Sequence, residues 1–237
     1  MKLSKRLQAI YNMVNSPCIL ADIGCDHGLL PIALIEGEKC QKAYACDVRK
    51  GPLARAQEAI ALHHLEDKIT TVLCDGLDGV KEDVDTFVIA GMGFDTITHI
   101  LTDGMAKAIK AKQLILQSNN HVEDLRRWLC DHGFTIDHEE LVEEQHYYQI
   151  LSVHYESEKL SEDQILFGKF LPSHPLFSKY WNYMLEKKKL ILQNMPENHE
   201  NREELISLIK CIEDKLKEVV AVSYTHLRAH ETGAYLV

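Results

Sequence analysis

Short apolar runs recur along the first half of the chain, and most are followed by a segment whose apolar residues have helical spacing. Five runs have the length and composition of buried strands: 18–23, 43–48, 69–74, 86–90 and 114–116. The helical patterns cover 28–36, 51–64, 95–110 and 122–132. Strands that alternate with helices are typical of a parallel sheet covered on both faces. The sequence therefore predicts an α/β fold with a mostly parallel, doubly wound sheet.

Further elements are predicted before and after these alternating strands and helices. An amphipathic helix is predicted over 4–14, with Ser4 as its N-cap. After Gly133, two strand-like segments at 134–136 and 147–153 follow one another without a helix between them. That arrangement indicates an antiparallel extension at one edge of the sheet.

The last third of the chain is predicted to be helical. Two helices are expected at about 176–193 and 202–221, joined by a polar turn. Apolar residues of the second helix have the heptad spacing of a coiled coil: Leu205, Ile209, Ile212, Leu216 and Val219. A coiled-coil-like helical hairpin results. Its seam can close within one chain or between two, so a homo-oligomer is left open and is not predicted.

These patterns divide the chain into a main domain over 1–158 and a hairpin domain over 159–222. The stretch 224–232, which reads YTHLRAHET, looks like the translation of a sequencing adapter. Residues 223–237 are therefore expected to be a non-native tail, and no functional argument is drawn from them.

Composition narrows the class of protein. No apolar run reaches the roughly 20 residues of a membrane-spanning helix and the N-terminus has no apolar signal core, so a cytoplasmic protein without membrane contact is expected. The seven cysteines include no CxxC pair and the histidines are scattered, so no metal site is predicted. The net charge of −10 argues against a non-specific nucleic-acid coat but leaves room for a local basic face.

The first predicted strand ends in a DxGxxxG sequence. In an open α/β sheet, ligands bind at the carboxyl ends of the strands. Gly24 and Gly28 let the backbone turn sharply and approach a ligand closely. Asp22 opens the loop, and a carboxylate at this point suits a cationic ligand better than a phosphate. The spacing also differs from the GxGxxG pattern of dinucleotide sites.

The next three strands end in a similar way, with Asp47 and Val48, Asp75 and Gly76, and Gly91 and Met92. Asp47 can accept hydrogen bonds from both hydroxyls of a ribose. Asp75, beside a bare glycine backbone, can take an adenine edge. Asp and Gly are also common in ordinary turns, but their repetition at four successive strand ends favours an adenosine-bearing cofactor with a positive centre. The sequence therefore predicts S-adenosyl-L-methionine rather than NAD.

Several short motifs, in this order, resemble those of one protein family. They are LSKRL at 3–7, ADIGCDHGLLP at 21–31, GPL at 51–53, CDGL at 74–77, IAGMG at 89–93, LQSN at 116–119 and FGKFL at 167–171. The chain resembles the TrmK family of bacterial tRNA methyltransferases, which act on N1 of adenine 22. The resemblance implies a class I, Rossmann-like methyltransferase domain that uses S-adenosyl-L-methionine. It also implies that the hairpin helps to hold the partner, tRNA.

Three positions depart from the usual pattern of that family. Phe94 follows GMG where a further glycine is usual, Ser118 stands where proline is usual, and Leu29 stands where an aromatic residue is common. Phe94 and Ser118 flank the expected acceptor pocket. These departures therefore bear on placement of the target base more than on cofactor binding.

Adenine N1 has an in-plane lone pair and no proton, so the base need not be deprotonated before it is methylated. The main task of the enzyme is to place the two reactants correctly. The product is a cationic adenine, and a nearby carboxylate would stabilise the developing charge. Asp26 is the candidate, with His27 beside it as a hydrogen-bond partner or as acceptor of the later proton. The alternative role of Asp26 is a helix cap. Asn119 is a candidate contact to the base, and an ordinary turn residue is the alternative.

Several alternatives stay open. Because N1 lies on the Watson–Crick edge, the base must be unpaired or flipped, and Tyr147 and Tyr148 are either a stacking surface for it or core aromatics. The lysines at 107–112 and 187–189 either contact phosphates or belong to solvated helix faces. The alternative functions are a non-catalytic tRNA-binding protein, a small-molecule methyltransferase and, less consistent with the strand ends, an NAD-dependent oxidoreductase.

Overall fold

The structure, a computed structural model, describes residues 2–233 and the side chains of residues 2–221. The chain forms two compact units, Met1–Leu171 and Pro172–Val237. The first unit contains the sheet and the second contains the helical hairpin. The expected non-native tail, 223–237, lies outside the residues whose side chains are described. Within residues 2–233, no helix combines the length and apolar character needed to cross a membrane.

A seven-stranded sheet forms the centre of the first unit. Its strands are β1 (Cys18–Ile23), β2 (Cys40–Asp47), β3 (Ile69–Leu73), β4 (Thr86–Met92), β5 (Gln113–Ser118), β6 (Phe134–Glu143) and β7 (Tyr147–Tyr155). They lie in the order β3-β2-β1-β4-β5-β7-β6, with β6 and β7 antiparallel and the others parallel. The predicted fold class is confirmed. The strand order reverses between β1 and β4, which opens a crevice at their carboxyl ends.

Seven helices belong to this unit: α1 (Lys5–Met13), α2 (Leu29–Glu36), α3 (Lys50–Leu62), α4 (Phe94–Asp103), α5 (Met105–Ala108), α6 (Val122–Asp131) and α7 (Glu162–Phe167). Alternate residues of the central strands belong to two buried apolar clusters, one on each face of the sheet. Ser4 caps α1 as predicted, since its hydroxyl accepts from the Leu7 amide at 3.2 Å. The single helix predicted over 95–110 is wrong. It breaks at Gly104, where the Leu77 side chain leaves no room for a Cβ.

The short helix α7 is not among the predicted elements. A capping box begins it, because the Ser161 hydroxyl accepts from the Gln164 amide at 3.2 Å and the Gln164 side-chain oxygen accepts from the Ser161 amide at 3.0 Å. α7 packs on α6, where Arg126 Nη1 donates to the Ile165 carbonyl at 3.2 Å. For this reason the first unit extends to Leu171 and does not stop at 158, the boundary that the sequence pattern predicts.

The second unit consists mainly of α8 (Phe177–Asn194) and α9 (Arg202–Gly233). The central residues of the predicted heptad seam, Ile209, Ile212 and Leu216, are buried. Arg202 Nη1 donates to the Met195 carbonyl at 2.8 Å, and Lys189 Nζ pairs with Glu213 at 2.8 Å. Partners thus move backwards along α8 as α9 advances, so the two helices run antiparallel, as expected for a hairpin.

Candidate active site

The loop after β1 turns back over the end of the sheet. The amides of Gly24 and Cys25 donate to the Cys46 carbonyl at the end of β2, at 2.8 and 2.9 Å. Gly24 and Gly28 have φ angles of +77° and +66°, a region that favours glycine. A Cβ on Gly24 would also collide with the Met92 side chain. The glycines of the DxGxxxG sequence therefore shape this loop, and Met92 lies against it.

A cavity of about 110 Å³ lies beside this loop. Its polar lining consists of Arg6, Asp22, Asp26 and His27, and Gly24 and Ala90 also border it. Asp22, Gly24, Asp26 and His27 were all predicted as site residues, so the structure brings these four together.

Asp22 is a buried carboxylate, 7% exposed, that accepts no hydrogen bond from the side chains or backbone of residues 2–221. Burial raises the pKa of Asp22 to about 7, against the opposing effect of the Arg6 guanidinium and with a further increase from the Asp47 carboxylate. A buried carboxylate that borders a cavity without a protein partner is suited to a cationic ligand group.

The residues at the ends of β2 and β3 do not line this cavity. Asp47 is 5% exposed, and its Oδ1 accepts from the Arg49 amide at 2.8 Å, while the adjacent Val48 is 60% exposed. The Cys74 amide donates to the Asp47 carbonyl at 3.2 Å, which keeps the two strand ends side by side. Asp75 and Gly76 follow directly. The predicted site residues at the ends of β2 and β3 thus form an open surface along the carboxyl edge of the sheet, next to the cavity.

Asp26 is 59% exposed and has a φ of +45°. Its Oδ1 accepts from Arg55 Nη2 at 2.9 Å, and its Oδ2 lies 3.5 Å from His27 Nε2. The N-cap of α2 is Gly28, and no side chain caps that helix. The alternative role of Asp26 as a helix cap is therefore wrong. Its carboxylate is oriented by Arg55 and His27 at the mouth of the cavity.

Gln117, which is fully buried, connects the ends of β4 and β5. Its Oε1 accepts from the Gly91 amide at 3.1 Å and from Arg6 Nη1 at 2.8 Å, and its Nε2 donates to Asn119 Oδ1 at 3.0 Å. Asn119 Nδ2 in turn donates to the Gly91 carbonyl at 2.9 Å. Because both ends of the Asn119 amide are engaged, this residue holds the two loops together rather than offering a free amide.

Arg6, Arg55 and Gln117 are site residues that sequence reasoning missed. Arg6 and Gln117 lie in the motifs LSKRL and LQSN, but their contact joins positions 111 residues apart. No periodicity or spacing indicates such a contact. The motif resemblance was the only signal for either residue.

Two lysines of the cluster before β5 are engaged by groups of the protein itself. Lys107 Nζ donates to the Leu77 and Asp78 carbonyls at 3.0 and 3.2 Å and also to the Val80 carbonyl, so this ammonium stabilises the turn after β3. Lys112 pairs with Asp85 at 2.9 Å. Among the described residues, no group of His, Cys, Asp or Glu side chains is arranged to hold a metal ion.

The doubly wound sheet, the glycine-shaped loop after β1 and the carboxylates at successive strand ends define the class I methyltransferase type of α/β protein. The chain belongs to the TrmK family: residues 20–218 match the family model of tRNA (adenine(22)-N(1))-methyltransferase. It is 31% identical to the Bacillus subtilis tRNA (adenine(22)-N(1))-methyltransferase over 233 residues, which are 93% of this chain and 98% of that protein.

Two solved structures that contain a bound nucleoside ligand are also similar to this chain. Streptococcus pneumoniae Sp1610 in complex with S-adenosyl-L-methionine is 37% identical, with a TM-score of 0.84 over 91% of this chain and 100% of that chain. M. capricolum TrmK in complex with S-adenosyl-homocysteine is 30% identical, with a TM-score of 0.83 over 92% of this chain and 100% of that chain.

Proposed function

We propose that this chain transfers a methyl group from S-adenosyl-L-methionine to N1 of adenine 22 in tRNA. The observation that carries the proposal is Asp22, a buried carboxylate that borders the cavity at the end of β1 and has no partner among the described residues. Membership of the TrmK family supplies the reaction and the class of acceptor.

The residues around the cavity fit the cofactor. Asp22 would take the ammonium of its methionine part, and the left-handed backbone at Gly24 shapes the loop that borders the cavity, with Met92 packed against it. Asp47, at the next strand end, would hold the ribose hydroxyls. Asp75 and Gly76 would lie along the adenine. Asp47, Asp75 and Gly76 do not line the cavity, so the ribose and adenine would lie on the open edge of the sheet beyond it.

When bound, the cofactor supplies a methyl group on a positively charged sulfur, and the adenine N1 lone pair forms the new N–C bond as the C–S bond breaks. Asp26 lies at the mouth of the cavity, where its carboxylate would stabilise the positive charge that the adenine acquires. Arg55 and His27 orient that carboxylate. Asn119 is proposed to keep the β4 and β5 loops in position beneath the base, rather than to contact it.

The two units of the chain would have different roles in this function. The first unit would carry out the reaction, and the helical hairpin of the second would help to hold the tRNA. The place of action would be the cytoplasm, where tRNA is modified.

Incubation of the protein with labelled S-adenosyl-L-methionine and unmodified bacterial tRNA, followed by nuclease digestion, tests the reaction. We expect N1-methyladenosine as the labelled nucleoside. Label in a small molecule but not in tRNA would support the small-molecule methyltransferase instead. Binding of tRNA without any transfer would support the non-catalytic alternative.

Asp26→Ala tests the role of the carboxylate. We expect turnover to fall by roughly a hundredfold, the size of effect seen when one charge-stabilising group is removed, while the Kd for S-adenosyl-homocysteine stays unchanged. Asp67→Ala is the matched control, because Asp67 is an exposed acid just before β3, at the opposite end of the strands. Full activity of the Asp26 variant would show that this carboxylate does not stabilise the reaction.

A further inference from the structure

Two aromatic rings lie close together after the carboxyl ends of β4 and β5. Phe94 is the first residue of α4, and His121 directly precedes the first residue of α6. Their ring centres are 6.5 Å apart, and the ring planes are inclined at 56°. Both loops begin next to the cavity, because Ala90 of β4 borders it and Gln117 of β5 binds Arg6, which lines it. The ring pair therefore belongs to the same edge of the sheet as the cavity.

Hydrogen bonds fix the backbone at Phe94. Its amide donates to Asn120 Oδ1 at 2.9 Å, and the Ser118 hydroxyl donates to the Asn120 carbonyl at 2.6 Å. The Asn119 amide donates to the Met92 carbonyl at 2.8 Å, so the loops after β4 and β5 are joined. The Phe94 side chain packs against the buried apolar cluster on one face of the sheet and remains half-buried. The ring is thus held in place while part of it stays open to a ligand.

The strand order places this ring pair on the side that the cofactor leaves open. Asp47 and Asp75, which would hold the ribose and the adenine of the cofactor, follow β2 and β3, whereas the rings follow β4 and β5, across the crevice between β1 and β4. The base that receives the methyl group would approach from the β4 side. Aromatic side chains commonly stack on unpaired or flipped bases. An aromatic face also attracts a positive charge, which the adenine acquires on methylation.

We propose that the Phe94 ring stacks on the adenine that is methylated, with the exposed His121 ring at the border of the stacked base. This inference rests on the proposed function and assigns the surface that receives the acceptor base. In the competing role, Phe94 would only anchor the first turn of α4 to the core. The two roles differ in whether the effect of the ring depends on the presence of a base at position 22 of the tRNA.

The test compares two proteins and two tRNAs in one cycle. With S-adenosyl-homocysteine present, the Kd is measured for a tRNA that carries adenine 22 and for the same tRNA with an abasic site there, using the wild type and Phe94→Leu. Leucine keeps an apolar contact with the core but has no aromatic face. The variant is expected to bind the intact tRNA roughly fivefold to a hundredfold more weakly than the wild type does, as for the loss of one base–aromatic stack. The abasic tRNA should bind both proteins equally, and Phe94→Tyr should behave as the wild type.

Tyr155→Leu is the matched control, because Tyr155 is a 50% exposed aromatic residue at the end of β7, at the opposite edge of the sheet. Without tRNA, the Kd for S-adenosyl-homocysteine should be unchanged in Phe94→Leu, which shows that the cofactor site is intact. An equal loss of affinity for both tRNAs, or an unchanged affinity for the intact one, would overturn the proposal. Failure of the wild type to methylate the intact tRNA would instead refute the proposed function itself.

Discussion

Asp22 illustrates how a single residue can serve binding at the expense of folding. Its carboxylate is 7% exposed and has no hydrogen-bond partner among the described residues, and burial raises its pKa to about 7 from an ordinary value of 3.8. The folded protein therefore holds this proton more tightly than the unfolded chain does. The stability that Asp22 contributes is present below about pH 4 and is lost as the pH rises through 7.

The affinity for S-adenosyl-homocysteine is expected to depend on the same proton. Only the ionised carboxylate attracts the ligand ammonium, so calorimetry should show binding about tenfold weaker at pH 6 than at pH 8. In Asp22→Asn we expect weak binding at both values. A flat profile for the wild type, or an unchanged profile for the variant, would contradict a role for this charge.

Asp22→Asn should have the opposite effect on stability. Without ligand at pH 8, the variant no longer buries an unpaired charge, so its Tm is expected to rise by several degrees above that of the wild type. At pH 4 the difference should be much smaller, because the wild-type carboxyl is then protonated. Thermal unfolding at the two pH values gives both results, and a Tm that falls at pH 8 would be the contrary outcome.

At the scale of elements, the parallel strands and α1 follow directly from periodicity and capping. Buried β1 reads as an apolar run, and Ser4 precedes the amphipathic pattern of α1. The helix break at Gly104 could not be predicted, because it depends on a side chain packed from the distant turn at Leu77. The beginning of α7 did have a local signal, the Ser161–Gln164 capping box, in an otherwise irregular segment.

The site was partly predictable for the same reason. Asp22, Gly24 and Gly28 lie close together in the sequence, so the sequence alone indicates that they share one loop. The contacts of Arg6 with Gln117 and Tyr148 depend on the docking of α1 near the ends of β5 and β7, which is tertiary information. Sequence patterns predict the strand ends of such a site better than the elements that cover it.

The segment that contains α7 is attached to the sheet by a buried ion pair. Arg126 and Glu139 are each about 1% exposed, and Arg126 Nε donates to Glu139 Oε1 at 2.7 Å. Arg126 Nη2 also donates to Gln149 at 2.6 Å, and the other Glu139 oxygen accepts from the Phe170 amide at 2.8 Å. These bonds hold residues 161–171 within the first unit.

Removal of one member of this pair should be strongly destabilising. Arg126→Met leaves Glu139 buried without its cation, so we expect a loss of roughly 3–5 kcal/mol in the free energy of unfolding. The neighbouring Arg127 pairs with the exposed Glu162, at 2.7 Å, and Arg127→Met is the control, expected to leave the urea midpoint nearly unchanged. Equal midpoints for the two variants would contradict the anchoring role.

For the whole molecule, the proposed function requires a chain with a negative net charge to bind tRNA, which is itself a polyanion. The net charge is −10, so tRNA binding would depend on local basic surfaces and on recognition of one base rather than on bulk attraction. The proposed function therefore requires the reaction to be confined to a single adenine. Modification of many adenines would fit a non-selective enzyme instead.

Primer extension on tRNA tests this most directly, because a methyl group on adenine N1 blocks the Watson–Crick edge and stops reverse transcription. After incubation with the protein and S-adenosyl-L-methionine, we expect one new stop at adenine 22, and none in a tRNA that carries guanine at that position. The absence of a stop at adenine 22, or a stop that persists in the guanine-22 tRNA, would contradict it.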